Sequence, residues 1–159
     1  MKTKYWKVLG KDRRACNGGI GRWPKPGTWL EVQGELIVCE RGLHVCRRQD
    51  LIVWLGAQIW EVEVDESAGI LVAGNKVVCH RARLAKQLKT WHAKTARLFV
   101  ADCAERVLPI YEKQYPDDGR PRNAIQAARD YARGKINKRA LIAAGDAAGA
   151  RSEERRVGK

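Results

Sequence analysis

The chain has 159 residues, of which 45% are apolar and 31% are charged, and its formal net charge is +13. This apolar fraction excludes a disordered chain and suffices for the core of one domain, with or without an appendage. No window approaches the roughly 18 uninterrupted apolar residues that a membrane-spanning helix needs. The N-terminus also lacks an apolar signal segment, so we expect a cytoplasmic protein with no membrane partner.

The cysteines and the charge limit the chemistry further. Five cysteines are an odd number in a chain without an export signal, and they predict reduced thiols instead of a disulfide framework. The excess of positive charge predicts attraction to anions such as nucleic acid, nucleotides or acidic proteins. Neither property indicates the fold or the oligomeric state.

The first half of the chain is typical of a β-sheet. Alternating apolar residues predict a first strand over residues 4–9, and the glycines and prolines that follow predict a long surface loop over residues 10–27. Further strands are predicted over residues 35–39, 43–46, 58–65, 69–73 and 76–84, with a short helix over residues 49–55. Gly74 and Asn75 predict a hairpin turn between the last two strands.

From about residue 90 the apolar residues recur at helical spacing. We expect a first helix that Thr90 caps and Pro109 kinks or ends, a second helix over residues 122–133 with Asp118 near its start, and a weak alanine-rich third helix from residue 138 to about residue 148. Because strands come first and helices last, the fold class is predicted to be α+β. The expected architecture is a mainly antiparallel twisted sheet of five or six strands, packed by a C-terminal helical hairpin plus the third helix.

These elements divide the chain into three predicted segments. Residues 1–88 are a β-rich domain, and residues 89–150 are a helical segment packed on it. Residues 151–159, RSEERRVGK, resemble the translation of a sequencing-adapter read-through. We therefore expect this tail to be non-native, and to be disordered or a frayed helix end.

A cysteine- and histidine-bearing turn carries the first family resemblance. Residues 38–46 read VCERGLHVC, and they are followed by WEVEV at residues 60–64 and NKVV at residues 75–78. This pattern resembles a family of phage- and prophage-associated domains of unknown function, which share a C-x-x-G-[FL]-H-x-C turn. The resemblance covers about residues 5–88, and it implies no established activity.

The helical half carries a second resemblance. Residues 98–112 read LFVADCAERVLPIYE, and residues 116–134 read PDDGRPRNAIQAARDYARG. Both stretches are similar to a helical domain of the "putative immunity protein" type, found alone and fused in bacteria and phages. Together the two resemblances imply an accessory protein of a phage or mobile element.

The turn near Gly42 holds the sharpest candidate chemistry. Cys39, His44 and Cys46 are residue types that bind zinc, but their spacing lacks the C-x2-C pattern of a specific zinc site. We therefore expect no metal, with these three residues as the minor zinc candidates. We interpret His44 as a packed, hydrogen-bonded side chain, and His44, Cys46 and Trp54 as the lining of a candidate pocket. A nucleophilic cysteine activated by His44 is a further alternative.

Two clusters of charged residues complete the candidate sites. An anion-binding patch is predicted if the strand of residues 76–84 lies beside the turn after residue 46, with Arg47, Arg48, Arg81, Arg83, Lys86 and Lys89 as its members. Structural ion pairs are predicted around the first helix, where Asp102 and Arg106 are four residues apart and the arginines flanking Pro121 can reach its acidic residues. Their members are Asp102, Glu105, Arg106, Arg120 and Arg122.

The sequence therefore predicts a non-enzymatic accessory protein of a phage or mobile element. Its expected partner is anionic, whether nucleic acid, nucleotide or acidic protein, and no cofactor is expected. An anti-defence role fits this prediction. The alternatives are a small transferase or hydrolase with a pocket around His44, and a zinc-stabilised interaction module.

Overall fold

The computed structural model of the protein describes residues 3–157, and it describes side chains for residues 3–150. It divides into two compact units, Met1–Trp91 and His92–Lys159. Within the described residues the first unit contains seven β-strands and the second contains three α-helices. The predicted α+β class is therefore confirmed.

The strands of the first unit form one antiparallel sheet in the order β2-β7-β4-β1-β3-β6-β5. Gly74 and Asn75 join β5 to β6, so the predicted hairpin is confirmed. The strands are β1 (Tyr5–Leu9), β2 (Leu30–Glu31), β3 (Leu43–Arg47), β4 (Gln58–Val64), β5 (Ile70–Ala73), β6 (Lys76–Cys79) and β7 (Arg81–Gln87).

One face of this sheet forms the core. Tyr5 pairs with Val62, and Val62 pairs with Leu84, so these three side chains leave the same face of neighbouring strands. Alternate strand residues and Trp23, from the loop after β1, complete the cluster, whose members are Tyr5, Leu9, Trp23, Val45, Trp60, Val62, Val77, Cys79, Ala82 and Leu84.

The predicted strand over residues 35–39 is wrong. Ile37 and Arg41 form an isolated antiparallel bridge, and the Arg41 N–H donates to the Ile37 carbonyl oxygen over 2.8 Å. The chain therefore reverses within this apolar run, and Cys39 has a positive φ of 67°. Leu36 packs against the backbone of Gly42, so the apolar side chains of the run stabilise a turn.

The number of strands is seven instead of five or six. The predicted strand over residues 76–84 divides at His80 into β6 and β7, because the chain passes there from one half of the sheet to the other. The sequence also did not predict β2, whose two residues are too few for an alternating pattern. The predicted helix over residues 49–55 is a 3-10 helical segment, Arg48–Trp54.

The second unit contains α1 (Ala93–Gln114), α2 (Arg120–Ala132) and α3 (Lys138–Val157). The expected cap at Thr90 is wrong, because His92 precedes the first helical residue and its backbone N–H donates to Thr95 Oγ1 over 2.9 Å. Pro109 lies inside α1 and does not end it.

The third helix is longer than predicted, since α3 continues to Val157. Residues 158–159 and the side chains of residues 151–157, which make up the expected non-native tail, lie outside the described part. Among the described residues, none of the helices has the length and apolar character to cross a membrane.

Candidate functional site

A cleft opens where two neighbouring strands of the sheet separate. β1 pairs with β4 along its whole length, from Tyr5 to Leu9, but its described pairs with β3 are limited to Tyr5 and Trp6. Residues 43–45 of β3 pair with β6 instead. The resulting cavity has a volume of about 570 Å³. Its lining includes all three residues of the predicted pocket, His44, Cys46 and Trp54.

Lys7 spans the floor of this cleft. It lies on the same face of β1 as Tyr5 and Leu9, and its Nζ donates to the carbonyl oxygen of His44 over 2.8 Å. The same Nζ lies 5.5 Å from the ring centroid of Trp23. No described carboxylate forms an ion pair with Lys7, and burial lowers the pKa of its ammonium. An ammonium removed from water without a counter-ion is unfavourable, so an anion that enters the cleft would relieve this cost.

His44 is held by the turn that precedes it. Its Nε2 accepts a hydrogen bond from the backbone N–H of Cys39 over 2.9 Å, and its Nδ1 lies 3.0 Å from the carbonyl oxygen of Gly42. Burial lowers the pKa of the imidazole, and the positive charges of Lys7 and Lys76 lower it further. Both ring nitrogens therefore fix the turn, and neither is free to bind a metal or to activate a nucleophile.

The buried cysteines of the β-sheet unit are not activated thiols. Burial raises the pKa of Cys46 to about 11 and that of Cys79 to about 12. A thiol with a raised pKa is a poor nucleophile and a poor metal ligand, because both roles need the thiolate. No three His, Cys, Asp or Glu side chains of the described residues converge as a metal site requires. The zinc candidates Cys39, His44 and Cys46 are therefore not assembled into a site.

Indole rings and a second lysine form the wall of the cleft. Lys76 Nζ lies 5.3 Å from the ring centroid of Trp54 and donates to Cys39 Sγ over 3.0 Å. Trp54 Nε1 donates to the carbonyl oxygen of Asn75 over 3.1 Å, which fixes the ring. By contrast, Nε1 of Trp6 is buried and has no hydrogen-bond partner among the described residues.

A glycine-rich loop, residues 15–21, borders the mouth of the cleft, and we call it the flap. A backbone hydrogen bond of 2.9 Å joins its two ends. Just outside this bond, Arg14 and Arg22 form an isolated β-bridge, and neither has an ion-pair partner in the described part of the chain. Ile20 lines the cleft although its side chain is 97% exposed. The flap therefore places an apolar side chain at the entrance, and its two ends are flanked by Arg14 and Arg22.

The predicted anion-binding patch is divided between separate parts of the sheet. Arg47 is on β3 and Arg81 and Arg83 are on β7, and both β1 and β4 lie between these strands. Arg48, Lys86 and Lys89 are exposed. The charges on the strands are also compensated, with N–O distances of 2.7, 2.8 and 2.6 Å in the ion pairs Arg47–Asp50, Arg81–Asp65 and Arg83–Glu63.

In the helical unit, the predicted acidic residues are held by an arginine that the sequence did not single out. Arg129 of α2 contacts Asp102 over 2.7 Å and Glu105 over 2.6 Å, both on α1. Its side chain is 15% exposed, so most of it is shielded from water. Arg106 is exposed and forms no ion pair with Asp102 or with any other described residue.

Asp118 joins α1 and α2 at the turn between them, and it lies near the start of α2 as expected. It is 7% exposed, and it accepts hydrogen bonds from the backbone and guanidinium of Arg120 and from the hydroxyl of Tyr111. These bonds hold the pKa of the Asp118 carboxyl far below its usual range. The remaining predicted residue, Arg122, pairs with Glu112 of α1 over 2.7 Å.

The helical unit is where a comparison with known proteins succeeds. Residues 86–157 match the family model described as Imm-5 like putative immunity protein. This match supports the resemblance predicted for the second half of the chain. It does not extend to the VCERGLHVC turn, so the phage-domain resemblance of the first half is unsupported. No curated protein and no solved structure matches the chain.

Sequence reasoning missed three cleft residues, Lys7, Lys76 and Trp6. Lys7 gives a usable signal, since a lysine in register with the apolar residues of a strand indicates a charge directed at the core. Lys76 and Trp6 give no such signal, because their place in the cleft depends on the separation of β1 from β3.

Proposed function

We propose that the protein is a non-enzymatic accessory protein of a phage or mobile element that binds an anionic partner in the cleft of its β-sheet unit. The match of the helical unit to an immunity-protein family supports the accessory role. An anti-defence role, in which the protein sequesters an anionic molecule or blocks an acidic host protein, is the biological form that such binding would take.

The observation that carries the anionic partner is the position of Lys7. Its ammonium lies in the cleft without an ion-pair partner among the described residues, and Lys76 adds a second positive charge to the same lining. The lining contains one acidic residue, Glu40, which is exposed. A cavity with this balance of charge attracts anions and repels cations.

Binding is better supported than catalysis at this site. Hydrolysis or group transfer by the expected pair would need a free imidazole nitrogen and an available thiolate. The His44 nitrogens are engaged by the turn, and burial raises the pKa of Cys46. The observation that favours the enzyme alternative is that His44, Cys46 and Trp54 line one cavity, as an active site would require.

The test compares two double variants, each of which removes two positive charges, one variant from the cleft and one from outside it. Calorimetry measures the binding of three probes, a single-stranded DNA oligonucleotide, ATP and a polyglutamate peptide, at about 50 and about 300 mM salt. We expect at least one probe to bind more weakly at high salt. Lys7→Gln combined with Lys76→Gln should abolish this binding, whereas Lys86→Gln combined with Lys89→Gln should preserve it.

Three results would overturn the proposal. If no anionic probe binds, or if both double variants lose binding equally, the cleft is not an anion site. If the protein converts a bound probe to products and His44→Gln stops this turnover without unfolding the chain, the enzyme alternative replaces the binding role.

A further inference from the structure

Helix α1 exposes a row of apolar side chains. Val100, Val107 and Ile110 are 64%, 59% and 75% exposed, and Cys103, which lies between them, is exposed as well. We call the row of Val100, Cys103, Val107 and Ile110 the seam. Apolar side chains that are grouped on a surface mark a place where another molecule binds, whereas single ones are common and need no explanation.

The seam lies apart from the face by which α1 packs inside its unit. Ala101 and Leu108 are the buried residues of α1, and each directly follows a seam residue in the sequence. Successive residues of an α-helix are about 100° apart around its axis, so the buried face and the seam point in different directions. α1 packs mainly against α2, which approaches it near Asp102 and Glu105. The packing of α1 on α2 therefore leaves the seam uncovered.

The spacing of the seam indicates the shape of what it binds. Its members follow one another at intervals of three, four and three residues, which is the heptad repeat of helices that pack lengthwise as a coiled coil. Ala96 and Ala93 continue the same spacing toward the start of the helix. A helix that faces a larger core usually has a wider apolar stripe. The seam therefore fits a single helix.

The borders of the seam indicate the charge of that helix. In a coiled coil the flanking positions carry the side chains that select the partner. Arg106 and Lys113 are exposed and form no ion pair in the described part of the chain. None of the flanking residues is acidic, and they are Arg97, Phe99, Ala104, Arg106, Tyr111 and Lys113. A second copy of the chain would bring basic borders together, whereas a helix with acidic borders would supply counter-ions.

From these features we infer that the seam binds an amphipathic helix of another protein, whose apolar residues follow the heptad repeat and whose bordering residues are acidic. This surface belongs to the helical unit and uses none of the cleft residues. The inference therefore goes beyond the proposed function, and either can fail without the other.

The first experiment measures the binding of two synthetic helical peptides to the full chain by calorimetry at about 150 mM salt. Each peptide has about 21 residues, or three heptads, with leucine at the apolar positions. One peptide has glutamate at the positions that border its apolar stripe, and the other has lysine there. We expect the glutamate peptide to bind at least ~10-fold more tightly, because it alone complements Arg106 and Lys113.

Two variants test the apolar and the charged parts of this surface separately. Val107→Gln combined with Ile110→Gln should fold, because both residues are exposed and glutamine is a good helix former. It should weaken binding of the glutamate peptide by ~10-fold or more, because apolar surface is lost. Arg106→Glu combined with Lys113→Glu should reverse the preference in favour of the lysine peptide.

The controls make the same kinds of change elsewhere. Lys86→Glu with Lys89→Glu reverses two charges outside the seam, and Lys7→Gln with Lys76→Gln removes the ammonium groups of the cleft. Ile142→Gln removes an apolar side chain of α3 that is also exposed. All three controls should keep the preference for the glutamate peptide.

Cys103 reports whether the seam is open. A maleimide should label Cys103 readily in the free chain, since this residue is exposed, and the glutamate peptide should slow the labelling. Peptide mapping by mass spectrometry separates Cys103 from Cys39, the other exposed cysteine, whose labelling should stay the same.

Several outcomes would overturn the inference. If neither peptide binds, or if both bind equally, the seam does not select an acidic helix. If the glutamate peptide binds the Val107→Gln, Ile110→Gln variant as tightly as the unaltered chain, the attraction is net charge alone. If its binding depends on Lys7 and Lys76, the site is the cleft, and the proposed function stands without the seam. If Cys103 resists labelling in the free chain, the seam is already covered, and sedimentation at rising protein concentration shows whether a second copy covers it.

Discussion

The imidazole of His44 accepts a hydrogen bond from the backbone N–H of Cys39 over 2.9 Å, and its other nitrogen lies 3.0 Å from the carbonyl oxygen of Gly42. Because a backbone N–H can only donate, Nε2 must be unprotonated and the ring proton must be on Nδ1. The neutral ring therefore joins two backbone groups of one turn. Protonation of Nε2 would place its N–H against the backbone N–H of Cys39, and two donors cannot form a hydrogen bond with each other.

Replacement of His44 by Ala should destabilise this turn. Two hydrogen bonds are lost, and since Cys39 is exposed and water can reach its N–H, we expect a loss of about 1 kcal/mol in the free energy of unfolding. His44→Gln can still accept from the Cys39 N–H and should lose less. Urea denaturation of the three chains at neutral pH measures the difference, and equal stability of all three would contradict this role.

The same contacts predict a dependence on pH. Burial lowers the pKa of His44 below 6.5, so the unfolded chain binds more protons than the folded chain between these two values. The unaltered chain should therefore lose stability relative to His44→Gln as the pH falls from about 7.5 to about 5.5. A constant stability difference across this window would show that the imidazole pKa is not lowered on folding.

Gly42 is the position of the turn that should tolerate substitution least. Its φ is +128°, and an added Cβ would meet Val78 Cγ1 at a distance that no real Cβ adopts and Leu36 Cδ2 at 2.9 Å. Gly42→Ala should lower the free energy of unfolding by more than about 2 kcal/mol, because strain and overpacking add. Gly74→Ala is the control, since Gly74 also has positive φ but faces open space. Chemical denaturation should rank Gly42→Ala well below this control.

The residues of the turn also show how far the sequence predicts the fold. Local patterns correctly predict β1, β4 and β5: alternation indicates β1 and β4, and the Gly74-Asn75 hairpin signal marks the end of β5. The apolar run at residues 35–39 misleads, because its side chains pack a reversal that depends on positive φ at Cys39. A run of five residues carries no information about that dihedral angle.

The site is less predictable than the strands for a tertiary reason. His44, Cys46 and Trp54 line one cavity, and their placement depends on the strand register and the following 3-10 segment, which are local features. Arg47 and Arg81 are not beside each other, since strand order places β1 and β4 between them. Pairing order follows from the whole sheet, and no local pattern specifies it.

In the helical unit, Arg129 should contribute more to stability than Arg122 of the same helix. It contacts Asp102 and Glu105 with a side chain that is 15% exposed, whereas Arg122, which pairs with Glu112, is 62% exposed. Arg129→Gln should therefore lower the melting temperature of the helical signal in circular dichroism more than Arg122→Gln does, because water screens exposed pairs. A larger effect of Arg122→Gln would contradict the assignment of Arg129 as the central contact of α1 with α2.

Asp118 predicts the acid sensitivity of the same helices. Hydrogen bonds from Arg120 and Tyr111 hold the pKa of Asp118 well below its usual 3.8, so the folded chain binds fewer protons than the unfolded chain below that pH. The stability from this carboxylate is fully present above about pH 5 and is lost as the pH falls toward the folded-state value. Asp118→Asn should therefore melt at a lower temperature than the unaltered chain at neutral pH, and the gap should narrow at about pH 2. The control is Asp117→Asn, because Asp117 is an exposed neighbour, and its melting temperature should differ less from that of the unaltered chain at neutral pH. If the difference for Asp118→Asn stays constant in acid, the carboxylate charge contributes nothing to stability.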